Sequence, residues 1–301
     1  GARVVYVSAS PYSSLLLGLW LKRRVGLPFA ADFRDFWTTF LSGEHRGLRF
    51  RVNRHFERKV LRGADAVICN HELMREEFER IEPGCRGKCV VLTNGFDPAD
   101  FEGLAPVQIR KEIAHVGVAW QDSPVPVLRA LAAMRASGAV PSGFRVRFVG
   151  GLPPSSLALV SELGLEGTVS VESRVDHARA IEIMRSAAAL LLLPGARRLA
   201  PAIPGKLFEY LMAGRPVVCV SPTRLAADLV RESGCGVVFE PEETAEIQRA
   251  IAGLASDAQG WSARHYRPRE DFIDRFDRRK LTGQLARLFD EMADLLELQE
   301  A

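Results

Sequence analysis

Long apolar runs are missing from this sequence. None approaches the eighteen or so residues that span a bilayer, and the N-terminus, Gly1 followed by the strand-like ARVVYVSAS, lacks the charged-then-apolar order of a secretory signal. The chain therefore reads as soluble or peripheral. An excess of either charge is missing too: 40 Lys and Arg against 37 Asp and Glu leave +3, too little to indicate a nucleic-acid partner. Cysteine is scarce and odd in number. Of Cys69, Cys85, Cys89, Cys219 and Cys235, three lie in or beside apolar runs where free buried thiols are usual, which points to a reducing, cytoplasmic compartment. Cys85 and Cys89 are close in GCRGKC, but no second Cys or His pair completes a tetrahedral zinc site, so no metal is expected. Nor does any Ser/His/Asp or Cys/His set suggest a nucleophile; His115 and His177 read as ordinary structural residues. Ser233-Gly-Cys-Gly236 lacks the third glycine of a dinucleotide loop.

What is present is alternation. Short β-branched runs trade places with helical patterns through most of the 301 residues, the signal of βαβ units and parallel sheets, so the fold class is α/β with two Rossmann-like domains. Strands are expected at ARVVYVS, Pro28 to Asp32, Asp65 to Cys69 and Cys89 to Thr93, with helices over Ser14 to Arg24, Leu48 to Arg62 and His71 to Arg80. Six more strands follow, at Ile113 to Trp120, Phe144 to Gly151, Thr168 to Val175, Ala188 to Pro194, Pro216 to Ser221 and Gly236 to Glu240. Between the two sets, NGFDPADFEGLAPV has turn signals and no helical period, which places a linker near 94–107. The expected domains are thus 1–107 and 108–270. Residues 271–301 carry Leu281, Leu285, Leu288, Phe289, Met292, Leu295 and Leu296 at helical spacing, a terminal amphipathic helix expected to pack back on the N-terminal domain.

One early helix is basic. Arg46, Arg49, Arg51, Arg54, Arg58, Lys59 and Arg62 flank an apolar stripe of Leu48, Val52, Phe56 and Val60, with Glu57 the one opposing charge. Such a helix fits either a solvated basic face over a buried stripe or, through 46–62, peripheral contact with an anionic membrane surface on the inner face.

The most informative segment is Ile203-Pro-Gly-Lys-Leu-Phe-Glu-Tyr-Leu-Met-Ala-Gly-Arg-Pro-Val-Val218. Pro204 suits a first helical position, Leu207, Phe208 and Leu211 would face the sheet, and Gly214 would cap the end. Lys206 then falls in the first turn, where the helix dipole disfavours a cation by roughly 0.3–1 kcal/mol unless an anion sits in front. The backbone at Gly205 and Lys206 plus the ammonium would bind a phosphate or diphosphate, and Glu209, one turn on, would accept from both hydroxyls of a ribose. On spacing alone, an exposed i,i+3 salt bridge between Lys206 and Glu209 explains the pair equally well.

PGKLFEYLMAGRPVV resembles the donor-site signature of family-four retaining glycosyltransferases with the GT-B fold. ADFRDFW (Ala31 to Trp37), ADAVICNHELM (Ala64 to Met74), LTNGFDPADF (Leu92 to Phe101) and FRVRFVGG (Phe144 to Gly151) are similar to further family blocks, in order, across nearly the whole chain. The resemblance implies that Glu209 holds the donor ribose and that Gly205 and Lys206 face the diphosphate. It also places Gly117, in the first donor-domain strand, and Gln121, in the loop after it, at the donor, and Asn94 in the interdomain turn beside it, although a plain β-turn accounts for Asn94-Gly95 as well. That loop usually carries a cation, and Trp120-Gln-Asp-Ser-Pro124 has none; Arg197 or Arg198 is expected to replace it. The family's frequent first glutamate is replaced here by Pro201. Arg34 and Asp35 would position substrate at the acceptor-domain sheet edge, a structural ion pair being the competing account. By the same comparison, about one hundred residues of a glycine-rich N-terminal part are absent from 1–107.

The activity so implied is transfer of a sugar, with retention, from a nucleotide-sugar donor to a hydroxyl of a glycan, lipid-linked or small-molecule acceptor, as in cell-surface polysaccharide, glycolipid or secondary-metabolite biosynthesis. It needs no metal and no cofactor, with Lys206 stabilising the departing phosphate. A sugar-nucleotide epimerase on the same fold, and a non-catalytic or truncated homologue that binds nucleotide alone, are the competing classes.

Overall fold

A computed structural model of the protein describes residues 1–39, 47–195 and 202–300, with side chains as far as 296. The chain forms two compact units, 1–94 with 278–301 and, between them in sequence, 95–277.

The first unit runs β1 (Val5–Ala9), α1 (Ser13–Val25), β2 (Phe29–Phe33), α2 (Leu48–Gly63), β3 (Ala66–Cys69), α3 (Glu72–Ile81) and β4 (Cys89–Val91). Its four strands are parallel in the order β1-β2-β3-β4. Every residue of β2 and β3 is buried, as expected for parallel strands covered on both faces. The second unit runs β5 (Arg110–Val116), α4 (Val125–Ala136), β6 (Arg145–Val149), α5 (Pro154–Glu162), β7 (Val169–Glu172), α6 (His177–Ser186), β8 (Ala187–Leu192), α7 (Lys206–Met212), β9 (Val217–Val220), α8 (Arg224–Ser233), β10 (Gly236–Phe239), α9 (Thr244–Ser256), α10 (Ala258–His265) and α11 (Glu270–Ile273). A last helix, α12 (Arg278–Glu300), returns to the first unit.

The second sheet is all parallel in the order β10-β9-β8-β5-β6-β7. The chain builds outward from β5 to β7, then crosses back and builds the other way from β8, so the direction reverses between β5 and β8. Doubly wound sheets bind ligands at the carboxyl ends of their strands at such a reversal. One face packs Ile113, Leu128, Leu131, Phe148, Leu191 and Trp261; the other packs Ala114, Met184, Leu190, Phe208, Leu211 and Phe276.

Three expectations are corrected. Residues 95–107 are no free linker, since the Phe96 amide donates to the Phe276 carbonyl at 3.0 Å and both rings are buried in the second core. The unit boundary therefore falls at 94/95 rather than 107/108, and Phe272, Ile273 and Phe276 carry the unit's other end to 277 rather than 270. The first strand of the unit is not Ile113 to Trp120: it stops at Val116, because Gly117 turns the chain away with φ 111°. Finally, the apolar stripe of α2 is only half buried. Leu48 and Val52 are 76% and 44% exposed, while the inward face carries Glu57, Val60 and Leu61. Glu57 is tolerated there because Thr38 donates to it through both its amide and its hydroxyl and Arg54 pairs with it at 3.3 Å, although burial still raises its pKa.

Against the first sheet, Leu281, Leu285, Leu288, Phe289 and Met292 of α12 pack on a core of Ala30, Ala66, Ile68 and Leu92, with Leu295 left exposed. Met292→Ala is expected to cost about 2–3 kcal/mol. In urea the midpoint should fall with little change in slope; a midpoint equal to the parent's would show that α12 is no part of that core.

Candidate functional site

The strand reversal is lined by bare backbone. Gly117 and Gly150, at the ends of β5 and β6, take φ values of 111° and 106°, accessible to glycine at little cost. A Cβ on Gly150 would lie 2.9 Å from the Gly117 carbonyl carbon, and one on Gly117 would lie 3.0 Å from Lys206 Nζ. Both glycines are therefore required twice over, by conformation and by space.

Lys206 and Tyr210 are one turn apart on α7 and face the end of β5. The fully buried Tyr210 hydroxyl accepts from the Val116 amide at 2.8 Å, fixing the helix to the strand. The Lys206 ammonium lies 2.8 Å from His115 Nε2, and His115 Nδ1 lies 2.9 Å from the Leu191 carbonyl of β8. A carbonyl only accepts, so Nδ1 carries the proton and Nε2 receives one from Lys206. Burial pushes the Lys206 pKa down to about 8, with Glu209 opposing the shift; burial, then the adjacent ammonium, pushes His115 down to about 3. Because α7 has only seven residues, the site's positive potential rests on the ammonium more than on the helix dipole invoked from the sequence.

Above these groups opens a pocket of about 350 Å³. Lys206, Glu209, Gly117, Gly150, Arg174 and His177 are among the residues that line it. Lys206, Glu209 and Gly117 thus line one pocket, and Gly205 precedes Lys206 in the chain. Gln121 lies further along the loop, exposed with φ 45°, and is not among the described residues that line the pocket. Arg197 and Arg198 lie outside the described residues. The sequence reading missed Arg174 and His115. Arg174 was hidden by a strand drawn through to Val175, whereas β7 stops at Glu172 and frees Arg174 into the loop at the carboxyl edge. His177 Nε2 lies 2.9 Å from Asp100 Oδ2.

The first unit has its own carboxyl edge. Asn70 is the hub: its amide nitrogen donates to the Arg34 carbonyl at 3.1 Å, and its oxygen accepts from the Asn94 amide at 3.0 Å. Arg34 itself is engaged by Asp32, at 3.0 and 2.9 Å, and by the Leu92 carbonyl at 3.1 Å. Its guanidinium is held at the sheet edge by Asp32, not by the neighbouring Asp35 with which the sequence suggested an ion pair. Asp35, next along, is exposed, near a Tyr12 ring that stacks on Trp37 with centroids 5.2 Å apart.

The model for a Glycosyl transferase 4-like domain matches residues 1–95, and that for Glycosyl transferases group 1 matches 110–257. No curated protein matches in sequence. Sucrose-phosphate synthase from Thermosynechococcus elongatus superposes with a TM-score of 0.71 at 15% identity, over 97% of this chain and 74% of its own. Alr3699/HepE from Anabaena, solved with UDP and glucose, gives 0.63 at 18% over 96% and 77%. The lipopolysaccharide outer core galactosyltransferase WaaB gives 0.61 at 14% over 99% and 76%. The shared architecture is GT-B.

Gly117→Ala should be destabilising beyond its backbone strain of roughly 1–2 kcal/mol, because the new methyl meets Lys206. Gly151→Ala is the control, with φ 98° and open space around it. Equal denaturant midpoints for the two variants would show that Lys206 yields freely.

Proposed function

The chain belongs to the glycosyltransferases, a Glycosyl transferase 4-like domain followed by a group 1 domain, and from that premise we propose that it moves a sugar from a nucleotide-sugar donor to an acceptor hydroxyl with retention of configuration. The observation that carries this reading is the ammonium of Lys206 held at a glycine-lined pocket with Glu209 on the same helix face. Glu209 takes the ribose hydroxyls, while Lys206, with Arg174 of the same pocket, meets the diphosphate. In the transfer, the bond between the anomeric carbon and the phosphate oxygen breaks, and the acceptor oxygen bonds that carbon on the same face. The acceptor's proton passes to the departing phosphate. Lys206 stabilises the charge that accumulates on that leaving group. No protein nucleophile or metal is used in this scheme. Arg34 acts by positioning the acceptor-side edge, and Asp35 offers its exposed carboxylate to an acceptor hydroxyl.

Binding is tested with UDP, GDP, ADP and dTDP by calorimetry. One of them should bind, and Glu209→Ala and Lys206→Met should each weaken it at least 10-fold, a loss typical of hydrogen bonds to charged groups. An anion stabilises the protonated lysine, so its pKa rises on binding. Affinity should be full below pH 8 and decline above it, with proton uptake near pH 8.5 seen as a buffer-dependent heat. Unchanged affinity in both variants would refute the donor site, and an inverted anomeric coupling in the product would refute retention.

A lipid-linked acceptor is favoured by one further observation. A groove of about 800 Å³ along α1 and α2 is lined by Arg23, Arg51, Arg54, Arg58, Lys59 and Arg62, and Leu48, Val52 and Trp20 are exposed on the same two helices. Arg54, Arg58 and Arg62 also answer Glu57 and Glu82. Arg46 lies outside the described residues, and no described helix is long and apolar enough to cross a membrane. The protein should sediment with vesicles containing phosphatidylglycerol but not with pure phosphatidylcholine, and lose about 25-fold in partitioning when Arg51 and Lys59 both become Glu. Equal recovery with both vesicle types would remove this reading.

A further inference from the structure

The donor pocket has a supporting residue that the reaction scheme leaves unused. His115 is fully buried on β5, and its ring is fixed from both sides. Nδ1–H is committed to Leu191 across the strand reversal, the Val118 backbone also lies at the ring, and Nε2 accepts a proton of the Lys206 ammonium. An apolar side chain would serve the packing against Phe148 equally well. Only the contact to Lys206 requires an acceptor at this atom.

We propose that His115 is a positioning residue for glycosyl transfer, a neutral acceptor that aims the Lys206 ammonium at the donor's diphosphate without cancelling its charge. The inference rests on the donor-site reading above. A partly buried ammonium is best served by a partner, and the usual one is a carboxylate. A carboxylate at position 115 would hold Lys206 as firmly, yet leave the pair neutral and of little use to an anion. Imidazole kept uncharged by its carbonyl partner solves the two requirements together. One of the three ammonium protons is spent on the ring, and two remain for ligand. The glycine lining leaves Nζ the room, 3.0 Å from where a Cβ on Gly117 would stand. The other charged or titratable groups facing Lys206 are Glu209 on its own helix and, in the same pocket, Arg174 and His177. Of the latter two, Arg174 carries no acceptor at all, and the His177 Nε2 is engaged by Asp100 Oδ2 at 2.9 Å.

The test uses the full chain and whichever of UDP, GDP, ADP or dTDP binds the parent; if none does, the donor-site reading itself fails, separately from this one. Affinities for that nucleoside diphosphate and for its nucleoside are measured from pH 6.5 to 9.5 in His115→Leu, His115→Gln and His115→Glu. The leucine variant should lose about 10-fold or more for the diphosphate and less than about 2-fold for the nucleoside. Glutamine, whose amide oxygen accepts, should restore the parent's diphosphate affinity to within about 3-fold. Glutamate should weaken the diphosphate while moving the alkaline midpoint upward by about one pH unit, because a negative neighbour holds the lysine proton more tightly. Equal losses for nucleoside and diphosphate in the leucine variant would reduce His115 to a packing residue and overturn the proposal. Should that variant fail to fold, identical affinities and midpoints for the glutamine and glutamate variants would overturn it instead.

Discussion

The second unit is organised around one contact, an ammonium resting on a neutral imidazole where the sheet reverses direction. Sheet topology makes the contact available: placing β8 beside β5 brings the Leu191 carbonyl to His115 and delivers the chain, after β8, to the helix that carries Lys206. Tyr210 fixes that helix to the same strand, and Gly117 and Gly150 keep side chains out of the space above. Each element is ordinary alone. Together they hold a partly dehydrated cation in place, and a dehydrated cation is strongly stabilised by an anion that completes its surroundings.

The first unit solves a different problem at its edge. Three loops leave the carboxyl ends of β2, β3 and β4, and Asn70 ties them with a single amide, donating to Arg34 and accepting from Asn94. Arg34 repeats the device with Asp32 and Leu92. The backbone that presents Asp35 is thus set by polar bonds at the sheet edge.

Much of this was legible in the sequence, for physical reasons. Parallel strands buried on both faces read as short apolar runs, so the ten strands among the described residues lie where the runs do, and glycine and proline mark most of their ends. That Lys206 and Glu209 line the same pocket was legible because i,i+3 is a local relation. His115 was not: it interrupts an apolar strand 91 residues from its partner, and nothing local distinguishes it from a satisfied core histidine. Arg174 was lost to an overlong strand. The stripe on α2 misled because periodicity assumes that charge faces water, and Glu57, held by Thr38 and Arg54, faces inward instead. The boundary at 94/95 was missed because turn-rich sequence looks like a linker even where Phe96 anchors it in a core.

The path of the chain has an implication for its synthesis. The second unit is one continuous stretch, whereas the first is assembled from residues 1–94 and from α12, which is made almost two hundred residues later. On a ribosome the earlier segment therefore emerges with Ala30, Ala66, Ile68 and Leu92 uncovered on one sheet face, and stays so while the whole of 95–277 is translated. Vectorial synthesis usually favours folding in N-to-C order. Here residues 1–94 are completed only after the unit that follows them in the chain, and their apolar face is in the meantime open to chaperones.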